Sequence, residues 1–391
     1  MRIIFIVIVF LFTSCQSYKK LHEKAIVVDT HNDVLSTVSM RGLNWENDLR
    51  GKAHSDIQRF KQGGVDVQIF SIWCDGRKEN AYNYANVEID SLYAMINRNP
   101  DKLMLVKTPA ELKAAVQQKK LGCMIGVEGG HMLEDRLDYL DSFYNRGSRY
   151  LTLTHNVSTS WASSAMDETK TPDPDGETKN ITPGLNDFGK QVVRRMNELG
   201  MMVDVSHVGD KTFWDVIEVS TKPVIASHSC AYTLCPVFRN LKDDQIKAIA
   251  KNGGVIFLNF FSGFVDSNYL TRIQDFNKKH KTERDSLRNL KWSSYEIDEW
   301  MSKTHSAEAE VLRPHMNQLL DHLDYIVNLS SADHVGLGSD FDGVSSTPRP
   351  LDDVSTFPLI TKALLERGYS KKDIRKILGE NFIRVFNANM N

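Results

Sequence analysis

The residues of this chain that could do chemistry stand directly after apolar, strand-like runs. The first such run covers residues 26–29, and it is followed by His31 and Asp33. Side chains alternate between the two faces of a strand, so these two side chains project to the same side. An imidazole and a carboxylate placed together suit a borderline-soft divalent metal such as zinc. Taken alone, the pair is more often an ordinary polar turn, since Asn and Asp are common turn residues.

The same arrangement recurs along the chain, where other apolar runs also end in a histidine or a carboxylate. These residues are Glu128, His155, His207, His228, Asp340 and Asp342. A single histidine is more often structural than a metal ligand. Here four of the twelve histidines, counting His31, stand at equivalent strand ends beside carboxylates in equivalent places. Independent accidents do not produce such a pattern, and it predicts a metal site.

Eight apolar runs alternate with helix-prone segments. We predict strands over residues 26–29, 65–73, 123–127, 150–154, 201–205, 223–227, 254–260 and 334–339. We predict helices over residues 82–97, 133–146, 185–199, 211–219, 242–251 and 314–329. This alternation favours parallel pairing, and continuous apolar runs are typical of strands buried on both faces. The sequence therefore predicts an α/β protein with a (β/α)8 TIM barrel. An open, doubly wound sheet is less favoured, because no Gly-x-Gly-x-x-Gly motif follows the first strand.

Two segments are longer than a barrel connection needs. Residues 158–184 are rich in Thr, Pro, Asp and Gly, and we expect a long loop over the end of the fourth predicted strand. Residues 262–313 follow the seventh predicted strand and are charged and helix-prone. They indicate a helical insertion, either solvated or serving as a cap over the barrel mouth. Residues 25–391 would then be a single barrel domain with these two insertions.

The amino terminus differs in kind from the rest of the chain. Arg2 is followed by ten apolar residues, 3–12, and then by a Thr-Ser-Cys sequence that ends at Cys15. Ten residues are too few to span a bilayer, which needs about 20, and they match the apolar region of a signal peptide. The sequence around Cys15 resembles a bacterial lipoprotein cleavage site. We predict a signal peptide over residues 1–14, a spacer over 15–24 and a lipid anchor on Cys15, in a bacterial cell envelope or periplasm. The alternative is a plain secretory signal with an incidental cysteine.

Export would place the four remaining cysteines in an oxidising compartment, where they could pair. If all four pair, three connectivities are possible and the sequence does not choose among them. Cys230 and Cys235 are close enough in the chain to close a small loop. Buried free thiols are at least as compatible with the sequence.

The charge balance argues against nucleic acid as a partner. The chain has 48 basic and 50 acidic residues, which gives a formal net charge of -2. Nucleic-acid binding would need a basic stripe, and the sequence contains none.

The number of candidate ligands indicates a two-metal site. His31, Asp33, Glu128, His207 and His228 exceed the three protein ligands of a single open zinc site. A shared carboxylate accounts for the number, if Glu128 bridges one metal held by His31 and Asp33 and another held by His207 and His228. A pair of metals lowers the pKa of a bridging water and can serve hydrolysis.

Several motifs in this order resemble the membrane dipeptidase (renal dipeptidase) family, peptidase family M19 of the amidohydrolase superfamily. The resemblance runs from about Ala25 to Phe386. The motifs are His-x-Asp at 31–33, Gly-Val-Glu-Gly-Gly-His at 126–131, Leu-Thr-Leu-Thr-His-Asn at 151–156, Asp-Val-Ser-His at 204–207, Pro-Val-Ile-Ala-Ser-His-Ser at 223–229, Arg-Asn at 239–240 and Gly-Ser-Asp-Phe-Asp-Gly at 338–343.

The resemblance implies a dipeptidase with two zinc ions, which cleaves dipeptides that have a free C-terminal carboxylate by attack of a metal-bridging hydroxide. It also suggests tolerance of D-residues at the C-terminal position, and a homodimer. Asp340 matches the family's acid–base aspartate, His155 its substrate-binding histidine and Arg239 the arginine that receives the carboxylate. His131 and Asp342 are interpreted as supporting or structural residues.

Two other classes of function use the same residues. One is a different amidohydrolase chemistry on the same two-metal site, such as hydrolysis of a lactone, a β-lactam or a cyclic amide. The other is a binding lipoprotein without catalysis, which is disfavoured because all five candidate ligands and Asp340 are present.

Overall fold

The computed structural model describes residues 18–169, 182–292 and 294–390, without the side chains of residues 294 and 295. The predicted signal peptide, the lipid anchor at Cys15 and the centre of the 158–184 segment lie outside the described residues. The proposed division of the chain into leader, spacer and domain therefore stays a prediction.

The described residues contain one nine-stranded parallel sheet. Its strands are β1 (Val28–Asn32), β2 (Val67–Ile72), β3 (Leu103–Leu105), β4 (Leu121–Glu128), β5 (Ser148–Thr152), β6 (Met202–Asp204), β7 (Ile225–Ala226), β8 (Val255–Leu258) and β9 (Val335–Leu337). Eight of them follow one another in the order β1-β2-β4-β5-β6-β7-β8-β9. β3 was not predicted, because a three-residue strand carries too little pattern; it pairs with residues 121–123 of β4, and β5 pairs with residues 125–128.

The sheet closes between its first and last strands. The backbone N–H of Asp33 donates to the carbonyl of Phe341 at 2.9 Å, and the N–H of Asp340 donates to the carbonyl of His31 at 3.1 Å. Closure removes both sheet edges and brings the carboxyl ends of all the strands to one mouth. The predicted (β/α)8 barrel is therefore confirmed, and the open-sheet alternative is wrong.

Helices surround the barrel, and all six predicted helices are found within a few residues of their expected bounds. Between residues 34 and 390 the α-helices are α1 (Val34–Arg41), α2 (Ile57–Gln62), α3 (Ala81–Arg98), α4 (Pro109–Gln117), α5 (Leu137–Asn145), α6 (Ala165–Thr169), α7 (Asp187–Leu199), α8 (Asp210–Val219), α9 (Asp243–Lys251), α10 (Ser262–Val265), α11 (Tyr269–Lys279), α12 (Lys281–Asn289), α13 (Ser294–Thr304), α14 (Ser306–Leu312), α15 (Met316–Leu329), α16 (Phe357–Glu366), α17 (Lys371–Arg375) and α18 (Asn381–Met390).

Local signals set the ends of these helices. The side chain of Asn186 accepts a hydrogen bond from the N–H of Gly189 at the start of α7. Gly200, with φ of +80°, ends the same helix in the left-handed conformation that glycine adopts without strain. At α4, Thr108 caps the first turn and Pro109 occupies a position where its missing N–H costs nothing.

The barrel interior is apolar at its amino-terminal end. Val255 and Phe257, alternate residues of β8, pack there with Phe382 of α18. Arg384 of the same helix donates a hydrogen bond to the carbonyl of Gly253, just before β8 begins. Because α18 covers the amino ends of the strands, the opposite end is the one available for polar side chains.

The segment after β8 forms helices α10 to α14, as the fold prediction expected. It has a small core of its own, formed by Phe276, Leu287, Ile297 and Met301. An ion pair of 2.6 Å between Arg41 of α1 and Glu299 of α13 ties the segment to the barrel mouth. The insertion therefore lies over the strand ends instead of extending freely into solvent.

The four described cysteines, Cys74, Cys123, Cys230 and Cys235, are all free and buried. Of the two alternatives, the free thiols are the ones found. The Sγ atoms of Cys230 and Cys235 contact the carbonyls of Asn259 and Gly263 at 3.2 and 3.5 Å. Across the described residues, every helix is either too short or too polar to cross a membrane.

Candidate metal centre and active site

The predicted ligands converge because all five stand at the carboxyl ends of four barrel strands. Glu128 is the last residue of β4, His31 is the second-last residue of β1, and Asp33 directly follows β1. His207 follows β6 and His228 follows β7. We call His31, Asp33, Glu128, His207 and His228 the barrel cluster.

The two carboxylate oxygens of Glu128 face two different groups of ligands. Oε2 lies 3.4 Å from Nε2 of His31, which is itself 3.4 Å from Oδ2 of Asp33. Oε1 lies 3.0 Å from Nε2 of His207 and 3.3 Å from Nε2 of His228. One carboxylate thus stands between two pairs of donors, which is the arrangement needed to share it between two metals.

A second partner orients the ring of His31. Its Nδ1 lies 2.9 Å from the hydroxyl of Tyr150, and that hydroxyl donates to the carbonyl of Thr30 at 3.2 Å. The hydroxyl oxygen therefore accepts the Nδ1 proton, and Nε2, which has no hydrogen-bond partner within the described residues, is the atom available to a metal. A Cβ at Gly126 would lie 2.0 Å from the Tyr150 ring, so glycine is required for this contact.

The other two imidazoles are oriented in the same way. Nδ1 of His207 lies 3.2 Å from the amide oxygen of Asn156. Nδ1 of His228 lies 2.8 Å from the hydroxyl of Ser227, which donates to Oδ2 of Asp204 at 2.6 Å. Both Nδ1 atoms then carry the proton, and two unprotonated Nε2 atoms face each other at 2.9 Å. Acceptor atoms this close fit a divalent cation between them, so the residues present suit a metal.

The charges of the barrel cluster also favour a cation at this point. Burial lowers the pKa of His31, but Tyr150, Glu128 and Asp33 outweigh it and hold that pKa well above its usual value. Burial would raise the pKa of Glu128, yet the adjacent imidazoles keep it well below the usual range. Burial lowers the pKa of both His207 and His228 far enough to keep them neutral, the form that binds metals.

Asp340 lies next to the barrel cluster. Its ligand oxygen is within 4.8 Å of those of His31 and Asp33. The amide of Asn259 donates to its Oδ2 at 2.7 Å, and burial raises its pKa well above the usual value. The backbone φ of Asp340 is +60°, in the left-handed region that residues other than glycine rarely adopt. Neighbouring contacts must hold the residue in this conformation.

His155 and Arg239 face the same space. The ring of His155 is centred 4.5 Å from that of His207 and 5.4 Å from that of Trp73, and burial lowers its pKa. Arg239 is buried, donates from Nη2 to the carbonyl of His228 at 3.3 Å, and has no partner for Nε among the described residues. Burial lowers the pKa of Arg239 to about 10, so the guanidinium stays cationic at neutral pH.

A cavity of about 760 Å³ joins these residues. Glu128, His155, His207, Arg239 and Asp340 line its floor. Its upper wall includes apolar side chains and two acidic residues of α13: Trp73, Phe238, Phe261, Phe264, Glu296 and Asp298. The insertion helix therefore closes over a pocket large enough for a small peptide.

Sequence reasoning missed several residues that hold the site. Tyr150 is hidden within an apolar run, while Asn156 follows His155 in a quoted motif without having been given a role. Asn259 is a polar residue near the end of the seventh predicted strand, and that position could have identified it. His131 lies behind the site, 3.4 Å from the Sγ of Cys74.

Asp342 has a structural contact as well as a place on the cavity wall. Its Oδ1 accepts a hydrogen bond from the backbone N–H of His54 at 2.7 Å. This contact ties the loop after β9 to the loop before α2, which supports the walls of the pocket.

Comparison with known proteins identifies one family. The model of the membrane dipeptidase family, peptidase family M19, matches residues 15–391. Human Dipeptidase 3 is 32% identical over 366 residues, which cover 92% of this chain and 64% of that protein. The chain thus spans slightly less than two thirds of this relative.

Solved structures are similar over nearly their whole length. The dipeptidase AC, a metallo peptidase of family M19, is 25% identical with a TM-score of 0.75, covering 94% of this chain and 99% of the other. A metallo peptidase from Rhodobacter sphaeroides, liganded with a phosphinate mimic of the dipeptide L-Ala-D-Ala, is 23% identical with a TM-score of 0.74. That match covers 94% of this chain and 100% of the other, and it supports the shared fold.

Proposed function

The chain belongs to the membrane dipeptidase family, peptidase family M19, and we propose that it is a zinc-dependent dipeptidase acting on dipeptides with a free C-terminal carboxylate. The observation that carries the proposal is the position of Glu128, whose two oxygens face separate pairs of ligands. Family membership supports a metal at this site, and the donor set supports two.

Zinc suits the imidazole and carboxylate donors of the barrel cluster. His31 and Asp33 would hold one ion, His207 and His228 the other, and Glu128 would bridge them. Bound zinc ions supply Lewis acidity that polarises a scissile carbonyl and lowers the pKa of water.

Asp340 is proposed to carry the proton. It would accept a proton from the attacking water and return it to the nitrogen of the leaving amine, as a general base and then a general acid. Asn259 holds Oδ2 of this carboxyl at 2.7 Å, which fixes its orientation toward the reacting atoms.

Arg239 and His155 are proposed to position the substrate. Arg239 would donate paired hydrogen bonds to the C-terminal carboxylate, a geometry that guanidinium offers and that lysine lacks. The burial of Arg239 strengthens such a contact, because little water competes for the same donors. The neutral imidazole of His155 would donate an N–H to the oxygen on which negative charge develops.

Acceptance of a D-residue at the C-terminal position is also proposed. The Rhodobacter sphaeroides relative binds a mimic of L-Ala-D-Ala, which makes Ala-D-Ala a suitable first substrate. The apolar side chains above Arg239, such as Phe264, would accommodate a small side chain of either configuration.

The experiment compares Ala-D-Ala with its C-terminal amide, using the full chain in detergent and loaded with zinc. We expect two zinc ions per chain at the barrel cluster, fast hydrolysis of the free acid, slow hydrolysis of the amide, and loss of activity with a chelator that zinc restores. If a protein that retains both ions hydrolysed neither compound, the dipeptidase proposal would be wrong. Tests with a lactone, a β-lactam and a cyclic amide would then follow.

Membrane anchoring through Cys15 and assembly as a homodimer are further proposals. The sequence of residues 1–15 supports the anchor, and family resemblance supports the dimer. Mass spectrometry of the mature amino terminus would detect the lipid, and a Cys15→Ser variant should appear in the soluble fraction. Light scattering of the detergent-free Cys15→Ser protein would give its oligomeric state.

A further inference from the structure

A second cluster of histidine and carboxylate side chains lies in the insertion, away from the barrel mouth. It consists of His280, Glu283 and His305, and we call it the insertion cluster. Their candidate ligand atoms all lie within 4.8 Å of one another. His280 stands between α11 and α12, and His305 stands between α13 and α14, so two helix junctions supply the donors.

The sequence around both junctions has the same pattern. His280 and Glu283 are three residues apart, as are His305 and Glu308. Residues three apart lie on one face of a helix, so each junction presents an imidazole and a carboxylate together. The two junctions pack face to face, with the histidine rings centred 3.9 Å apart.

The distances bring both imidazoles to the same carboxylate. Oε2 of Glu283 lies 2.7 Å from Nε2 of His305 and 3.9 Å from Nδ1 of His280. A tetrahedral zinc ion with bonds of about 2.0–2.1 Å needs ligand atoms roughly 3.3 Å apart. Small side-chain rotations would therefore bring all three atoms to bonding distance.

The remaining ring nitrogen of His280 has the partner that a metal ligand usually has. Its Nε2 lies 3.3 Å from Oε2 of Glu308, which also pairs with Nζ of Lys279 at 2.7 Å. A proton on Nε2 donated to Glu308 leaves the Nδ1 lone pair directed at Glu283. Ligating histidines commonly donate their other N–H to a carboxylate in this way.

A simple ion pair does not account for this arrangement. One imidazole is enough to pair with Glu283, yet the ring of His280 also lies against the ring of His305, tilted by 35°. The exposed fractions of His280 and His305 are 12% and 23%, and Phe276 packs against both rings, so both imidazoles are only partly exposed and are held in place by packing.

We propose that the insertion cluster binds a third divalent metal of the zinc class, with His280, Glu283 and His305 as ligands, Glu308 orienting His280, and water in the fourth position. Two imidazoles and one carboxylate are donors that zinc accepts. The ion would join helices α11 and α12 to helices α13 and α14. Because α13 carries Glu296 and Asp298 of the cavity wall, it would stabilise the cap without taking part in the reaction.

The test measures zinc in the full chain after metal removal, reloading with Zn²⁺ and removal of unbound ions. The Glu283→Gln variant should hold one zinc ion fewer per chain than the wild type. Asp285→Asn is the matched control, since Asp285 lies on the same helix, the change removes the same charge, and Asp285 pairs with Lys281 and Arg288 instead of a histidine. The control should match the wild type.

A second comparison separates this site from the barrel. In a Glu128→Gln background, which disables the barrel cluster, a zinc ion should remain and should disappear on adding His305→Asn. Zinc should also slow proteolysis within residues 262–313 of the wild type at least several-fold, and should not do so for Glu283→Gln.

Equal zinc contents in the Glu283→Gln and Asp285→Asn proteins, in either background, would overturn the proposal. A Glu128→Gln protein without any zinc would overturn it too, whether or not the insertion variants fold. Neither result depends on dipeptidase activity, so the proposed function can fail or succeed separately.

Discussion

The barrel cluster and the insertion cluster are built from the same side chains in different surroundings. His31 and Glu128 are 0% and 4% exposed, and the Nδ1 atom of each barrel imidazole has a hydrogen-bond partner, which is buried for His31 and His228. His305 and Glu283 are 23% and 37% exposed, and they stand at helix junctions instead of strand ends.

The difference in burial separates their roles. The lone pairs of buried ligand atoms, which water cannot reach, must be satisfied by a proton or a metal. The barrel cluster therefore requires a cation, and its side chains are held in one arrangement. Donors near the surface can be satisfied by water, so the insertion cluster can lose its ion without losing the fold. We expect the barrel cluster to govern activity and the insertion cluster to govern the stability of the cap formed by the insertion.

Replacing Glu128 tests whether activity requires metal at the barrel cluster, and it should have the largest effect. Glu128→Gln keeps the shape but removes the charge shared by both ligand pairs. Loss of several kcal/mol of metal-derived stabilisation should lower kcat/KM by about 10³-fold or more. Steady-state kinetics and metal analysis would check this, and near-normal activity with no barrel metal would contradict the whole assignment.

Replacing Arg239 tests whether the pocket binds the C-terminal carboxylate of the substrate. Loss of charge-assisted hydrogen bonds in Arg239→Ala should lower kcat/KM on Ala-D-Ala by about 10- to 100-fold and leave the amide unaffected. Arg239→Lys is the control, which keeps the charge and should recover little because it lacks the paired geometry. An equal loss on both compounds would show that Arg239 does not bind the carboxylate.

Replacing Tyr150 tests the partners behind the ligands. Tyr150→Phe removes the hydroxyl that accepts the Nδ1 proton of His31, and metal affinity should fall by about 10- to 100-fold. Activity at saturating zinc should change much less. Tyr93→Phe, which loses a hydroxyl that donates to the carbonyl of Arg146, is the matched control and should bind zinc as the wild type does.

Replacing Glu283 should have the smallest effect on catalysis. Glu283→Gln should keep kcat and KM of the wild type while losing one zinc ion and protection of the cap. A weak chelator should likewise remove one ion per chain before activity declines. A fall in kcat parallel to the loss of that first ion would end the distinction between the two clusters.

Much of the barrel cluster could be predicted because its members are marked by local pattern. An apolar run followed by His31 or His207 identifies a strand end, and a closed parallel barrel brings all strand ends to one mouth. The fold class alone therefore predicted that Glu128, His228 and Asp340 would meet. The catalytic and ligand roles of these residues stay predictions until the variants are measured.

The partners behind the ligands could not be predicted in the same way. Tyr150 reaches His31 across the barrel, and Asn259 reaches Asp340 from a neighbouring strand. Such contacts depend on strand register and on the absence of a side chain at Gly126. Neither can be inferred from a run of apolar residues.

The sequence by itself determined the barrel, the order of its strands and the residues that stand at their ends, because hydrophobic periodicity and polar strand ends are local properties. Only the tertiary structure decided which oxygen of Glu128 faces which ligand pair. It alone also brought His280 to His305, since contacts between helices far apart in the chain depend on how the elements pack.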